Sequence, residues 1–125
     1  MKIVLRGLVG GVGALSVLLA VRCWMAPEAF AAQLGLAPMG ALGLASIRAD
    51  LGAFFGVVGV LALVAAIRGR GELLLAPVLL IGMALLGRLV SIALTGFSPD
   101  MLSPIGIEAG LLALFGAGWR FLPRR

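Results

Sequence analysis

At 125 residues, 62% hydrophobic and 12% charged, with a formal net charge of +5 and a mean hydropathy of +1.22, the chain has the composition of a membrane protein. Ten Lys and Arg and five Asp and Glu, gathered mostly in short patches, are too few to cover a soluble domain of this length. The pI near 11.5 does not mark a nucleic-acid binder, because the basic residues form no solvated face interleaved with aromatics and instead flank apolar segments.

In chain order, the first uncharged run lies between Arg6 and Arg22 and predicts a span over about 3–25. Its basic start and Ala29-Phe30-Ala31 also resemble a cleavable signal peptide, but the apolar run is far from that site. Pro27 to Met39 opens with Pro-Glu and closes at Gly35 and Pro38. This segment is too short to cross a bilayer and reads as an interfacial helix beside Trp24, an aromatic suited to the head-group region. A second span is expected over about 44–67, ending in Arg68-Gly69-Arg70-Gly71-Glu72, and a third over about 73–94. Gly96 to Pro104, with two prolines and Asp100, is a turn by composition. A fourth span over about 103–122 closes the chain with Trp119, Arg120, Arg124 and Arg125. The expected fold is all-α: one integral membrane domain, residues 1–125, a four-transmembrane-helix bundle with a short interfacial helix between spans 1 and 2.

Charge fixes the expected orientation. The amino terminus, the 68–72 connection and the carboxyl tail carry Lys2, Arg6, Arg68, Arg70, Arg120, Arg124 and Arg125 against Glu72 alone. The opposite side carries Arg22, Arg48 and Arg88 against Glu28, Asp50, Asp100 and Glu108. The positive-inside rule then places both termini in the cytoplasm of a multi-pass protein of the bacterial inner membrane.

Arg48, Asp50, Arg88 and Glu108 sit inside otherwise apolar runs. Each costs about 2.5–3.5 kcal/mol at the centre of an inserted helix, so they must pair, hydrate or bind something. At about 1.5 Å per residue, Arg88 stands roughly 23 Å, Asp50 roughly 27 Å and Glu108 roughly 20 Å from the cytoplasmic ends. With Arg22 they are expected to form one layer in the outer half of the bilayer. Helical phase puts Arg48 on a stripe with Gly52, Gly56 and Gly59, where small residues admit a neighbouring helix. Asp50 points elsewhere, with Phe54, Val57 and Leu61, so Arg48 and Asp50 address different neighbours. Gly106 and Gly110 give the fourth span a second close-packing face, and Ser91 and Thr95 extend a polar stripe from Arg88. Ile47 to Gly52 and Ile105 to Gly110 share the pattern Ile, two residues, acid, one residue, Gly, which fits a duplicated two-helix unit.

Two readings of these charges stand side by side. They are ion pairs that fix which helices are neighbours, or they line a polar pocket open to the outer leaflet. Three arginines (Arg22, Arg48, Arg88) against two acids (Asp50, Glu108) leave one positive charge in surplus. That favours an anionic or electron-rich head group unless Glu28 or Asp100 closes the balance.

No His and one Cys exclude imidazole ligation of haem, a Ser-His couple and an intramolecular disulfide. Cys23 reads as a packed or lipid-facing residue, and the glycines do not form a phosphate loop. No cofactor and no metal site are expected.

Pro27-Glu28-Ala29-Phe30 with Leu34-Gly35, Arg48-Ala-Asp-Leu-Gly52-Ala-Phe-Phe-Gly56, Gly87-Arg88 and Glu108, in that order, resemble the small bacterial four-helix integral membrane proteins of unassigned activity and, more loosely, DoxX-type membrane proteins. The resemblance spans nearly the whole chain and implies a four-helix membrane fold. It carries no activity, substrate or cofactor. The expected function is non-enzymatic: an accessory subunit of a membrane complex, or a binder of an amphipathic lipid such as a quinone or isoprenoid through Arg22, Arg48, Asp50, Arg88 and Glu108. Membrane lipids and a homo-oligomer or larger complex are the expected partners, without nucleic acid. An oligomeric proton or small-solute transporter and a lipid-modifying enzyme using Arg88 and Glu108 are the alternatives.

Overall fold

The computed structural model describes residues 1–124; Arg125, counted above with the basic tail, lies outside them. All regular structure among the described residues is helical. Four helices are long and apolar enough to cross a membrane: Lys2–Met25, Gly40–Arg68, Gly71–Thr95 and Pro99–Phe121. The first is a single helix, α1 (Lys2–Met25), and the short α2 (Pro27–Gln33) follows it. The second combines α3 (Gly40–Ser46), a π turn (Ile47–Leu51) and α4 (Gly52–Arg68). The third is a 3₁₀ turn (Gly71–Leu74) leading into α5 (Leu75–Thr95). The fourth is a 3₁₀ turn (Pro99–Met101) leading into α6 (Leu102–Phe121). The second span therefore starts at Gly40, before the expected 44, because Gly40-Ala-Leu-Gly-Leu-Ala-Ser46 is apolar and helical although none of it is buried.

The helix ends follow local chemistry. α1 stops at Ala26, which is forced out of the helical region by the ring of Pro27. Pro27 then occupies the first turn of α2, where its missing N–H costs nothing. α4 ends at Gly69, left-handed at φ 64°, the conformation glycine adopts without a Cβ penalty. Arg6 reaches across from α1 and donates to the carbonyls of Ala66 (2.8 Å) and Ile67 (3.0 Å), which the last turn of α4 leaves without helical partners. The amide of Gly71 donates to Pro123 O at 2.7 Å. These contacts place both described termini and the 68–72 connection at one end of the bundle, the terminal end.

α1 and α4 pack against each other most closely. A Cβ on Gly13 would stand 2.9 Å from Ala62 Cβ, and one on Gly59 would stand 2.7 Å from Gly13 O and Val17 N. Glycine at both positions lets the two backbones touch, the usual route to tight association in lipid. α5 packs on α4 and α6, and α6 on α1. The core formed by Val9, Ala62, Ala65, Leu74, Ile81 and Phe115 lies towards the terminal end. Beyond Ile81 on α5 and Phe115 on α6, none of the described residues of these two helices nearer the far end is buried. α2 folds back on α4 through Phe30, whose ring meets Phe55 edge-on at 5.4 Å.

Candidate functional site

The embedded charges divide between two contacts. Arg88 Nε donates to Glu108 Oε2 at 2.8 Å, joining α5 to α6; the side chains are 33% and 16% exposed, so the pair is half-open to the bilayer. Arg48 does not join it. Its Nε donates to Trp24 O at 2.9 Å, while Trp24 Nε1 donates to Arg48 O at 3.1 Å, so the two residues clasp the far end of α1 to the π turn. The embedded charges thus make two separate contacts, one in each helical hairpin. Asp50 and Arg22 are exposed, and neither side chain has a hydrogen-bond or ion-pair partner among the described residues. Asp100 accepts from Ser98 Oγ, and Thr95 Oγ1 donates to Ser91 O at 2.8 Å, a bond within one helix that leaves Arg88 to Glu108.

The π turn explains why Arg48 turns to α1. A π turn shifts the backbone ladder by one residue and exposes carbonyls that an α-helix would satisfy, and in lipid such groups need partners. Two α1 side chains serve them: Cys23 Sγ donates to Ile47 O at 3.4 Å and Trp24 Nε1 to Arg48 O. Further along the seam, buried Ser16 donates to Phe55 O at 2.7 Å. Gly52 sits directly under the Trp24 indole, where a Cβ would collide with the ring, 2.9 Å from Cδ1. So Gly52 is a close-approach glycine, but for a ring rather than for a helix backbone. A Cβ on Gly56 would make ordinary contact with Ala20 at 3.8 Å, whereas one on Gly106 or Gly110 would meet nothing within 4 Å; the expected packing face on α6 meets no neighbour among the described residues. The equivalence suggested by the two Ile-acid-Gly segments ends here as well. One is a π turn and the other plain α-helix.

Sequence reasoning missed Cys23, Trp24 and Ser16 as donors to the second span. The available signal was Gly52 on the Arg48 stripe, a gap waiting for a large neighbour.

Two hollows flank the Trp24–Arg48 clasp. An apolar groove of about 450 Å³ runs along the seam between Val17, Ala20, Val21 and Trp24 on α1 and Gly52, Ala53, Gly56, Val57, Val60 and Leu61 on α4. Beyond the clasp, a recess of about 330 Å³ is lined by Met25, Ala26, Pro27, Glu28, Ala29, Leu44 and Arg48. Both hollows are open to the surroundings rather than enclosed. Trp24 walls the groove and its carbonyl holds Arg48, which walls the recess. A molecule lying across both would have an apolar body and a polar end. Among the described residues no three His, Cys, Asp or Glu side chains gather to hold a metal. Comparison with family models, curated proteins and solved structures finds no match.

Proposed function

We propose that this chain is a non-catalytic multi-pass protein of the bacterial cytoplasmic membrane that binds an amphipathic lipid along the α1–α4 seam. One observation carries this reading: the apolar groove runs up to Trp24, whose carbonyl holds Arg48 Nε, and Arg48, whose terminal guanidinium nitrogens have no partner among the described residues, lines the neighbouring recess. A cation beside an apolar slot suits a molecule with a tail and a polar head. The terminal end, with Lys2, Arg6, Arg68, Arg70, Arg120, Arg124 and Arg125 against Glu72, is the cytoplasmic one in this proposal, so the recess opens to the outer leaflet. The motif resemblance to small four-helix membrane proteins belongs to the same reading.

Extraction in mild detergent followed by native mass spectrometry tests it. The parent chain retains lipid adducts, and Ala53→Phe, which fills the groove from an exposed wall position, removes them. Equal retention by both removes the proposal.

A second reading, an accessory subunit or self-associating protein, draws on a different surface. Gly87, Gly106 and Gly110 face open space beside the partly exposed Arg88–Glu108 pair. Small residues beside a polar pair are how membrane helices meet partners. Stoichiometric partners after gentle solubilisation support this reading, and a monodisperse monomer opposes it.

A further inference from the structure

Resting on the lipid-groove reading, we infer that the recess at Arg48 takes the head group of a zwitterionic aminophospholipid, with the phosphate on Arg48 and a primary ammonium on Glu28. The recess holds one side chain of each sign, Glu28 and Arg48. They form no ion pair with each other, and the Glu28 carboxylate has no hydrogen-bond partner among the described residues. Arg48 spends only its Nε on Trp24 O. Its planar fork keeps the two terminal nitrogens for an incoming oxyanion, the geometry that suits phosphate. Two opposite charges that line one recess without pairing are complementary to a ligand that carries both signs.

The alternatives fit less well. A purely anionic head group satisfies Arg48 and leaves its charge against the Glu28 carboxylate. A choline head group carries the right charges, but its quaternary nitrogen has no N–H to donate. A primary ammonium brings three donors to a carboxylate that only accepts. The other unpartnered charges near this end of the bundle, Arg22 and Asp50, line neither hollow. Met25 and Leu44 give the recess apolar walls, and the groove beyond the clasp takes the start of a chain. Glu28, from the short helix between the spans, lines the same recess as Arg48.

The test uses the full chain in detergent, stripped of lipid and offered an equimolar mixture of phosphatidylethanolamine, phosphatidylglycerol and phosphatidylcholine with identical acyl chains; native mass spectrometry reads which is retained. A charge-assisted hydrogen bond gained or lost corresponds to about tenfold in affinity, so phosphatidylethanolamine is expected to exceed phosphatidylcholine by about that factor. Glu28 is exposed and its carboxylate bonds to no other described residue, so Glu28→Gln tests the head group without threatening stability. It should lower retention of phosphatidylethanolamine to the level of phosphatidylcholine, whose retention is unchanged. Arg48→Gln should lower retention of all three lipids, and Arg48→Lys should restore part of it. Retention led by phosphatidylglycerol, or an unchanged preference in Glu28→Gln, overturns the inference and leaves the groove standing. Retention of all three lipids unaffected by Ala53→Phe overturns the groove and the inference together.

Discussion

In the first hairpin, α1 and α4 meet glycine to backbone at Gly13 and Gly59 and are stitched by Ser16, Cys23 and Trp24 to carbonyls of the second span; in the second, α5 and α6 rely at their far halves on Arg88 and Glu108, with Gly87, Gly106 and Gly110 open to the surroundings. The buried share of an 18-residue apolar stretch in each span follows the same division: 22% and 28% for the first two, 17% and 11% for the last two. In lipid, apolar contact alone gives helices little reason to associate, so close packing and polar contacts decide. The first hairpin uses both along its length. The second has close packing only near the terminal end and one ion pair beyond it.

The sharpest way to break this contrast is Gly59→Ala. A methyl there points into the backbone of α1, 2.7 Å from Gly13 O and Val17 N, where neither neighbour can rotate away. Overpacking against backbone belongs at the upper end of the usual range, about 3 kcal/mol, read as a lowered midpoint in detergent-to-SDS unfolding. An unchanged midpoint would mean that the seam is looser than described.

Next in size is Glu108→Ala, which leaves Arg88 without its anion. A fully buried pair broken this way loses about 3–5 kcal/mol; because Arg88 is 33% exposed and can snorkel, about 2–3 kcal/mol is expected here. Replacing both Arg88 and Glu108 by Leu should recover much of the loss, and simply additive losses would refute direct pairing. Trp24→Phe removes the donor to Arg48 O and should cost about 1 kcal/mol. It should leave the Glu108 variant's loss unaltered, since the two contacts belong to different hairpins.

Smallest of all is Gly110→Ala. No neighbour lies within 4 Å of the added carbon, so the midpoint in detergent should move by less than about 0.5 kcal/mol, or rise slightly through helix propensity. The same substitution at Gly59 and at Gly110 thus separates a filled glycine face from an open one. If Gly110→Ala is neutral in detergent yet disrupts an assembly isolated from the membrane, the open face of the second hairpin carries the partner.

The four spans were legible because apolar run length and flanking charge report them directly, and Pro27, Gly35 and Gly69 marked their interruptions. The start of the second span was not, since Gly40 to Ser46 has the composition of a loop and of a helix alike. The π turn was not legible, because a π insertion is set by the backbone ladder and Ile47-Arg-Ala-Asp-Leu51 has no side-chain pattern that distinguishes it from an α-helical turn. Gly52 announced a close approach without saying whether ring or helix would fill it. Gly106 and Gly110 have the same spacing as packed glycines and meet nothing among the described residues; spacing alone does not identify the neighbour. Arg88 and Glu108 could be named from cost, but the choice between Arg88 and Arg48 as partner required the clasp that holds Arg48 on Trp24.

The lipid groove on the first hairpin is tested most directly by photo-crosslinking with a phospholipid labelled along its acyl chain, followed by mass-spectrometric mapping of the modified residues. Modification concentrated on Val21, Ala53 and Val57, and lost in the presence of unlabelled phosphatidylethanolamine, is the predicted result. Labelling spread evenly over all lipid-facing residues, with Met83 and Leu86 of α5 modified as strongly and no competition by unlabelled lipid, would contradict it.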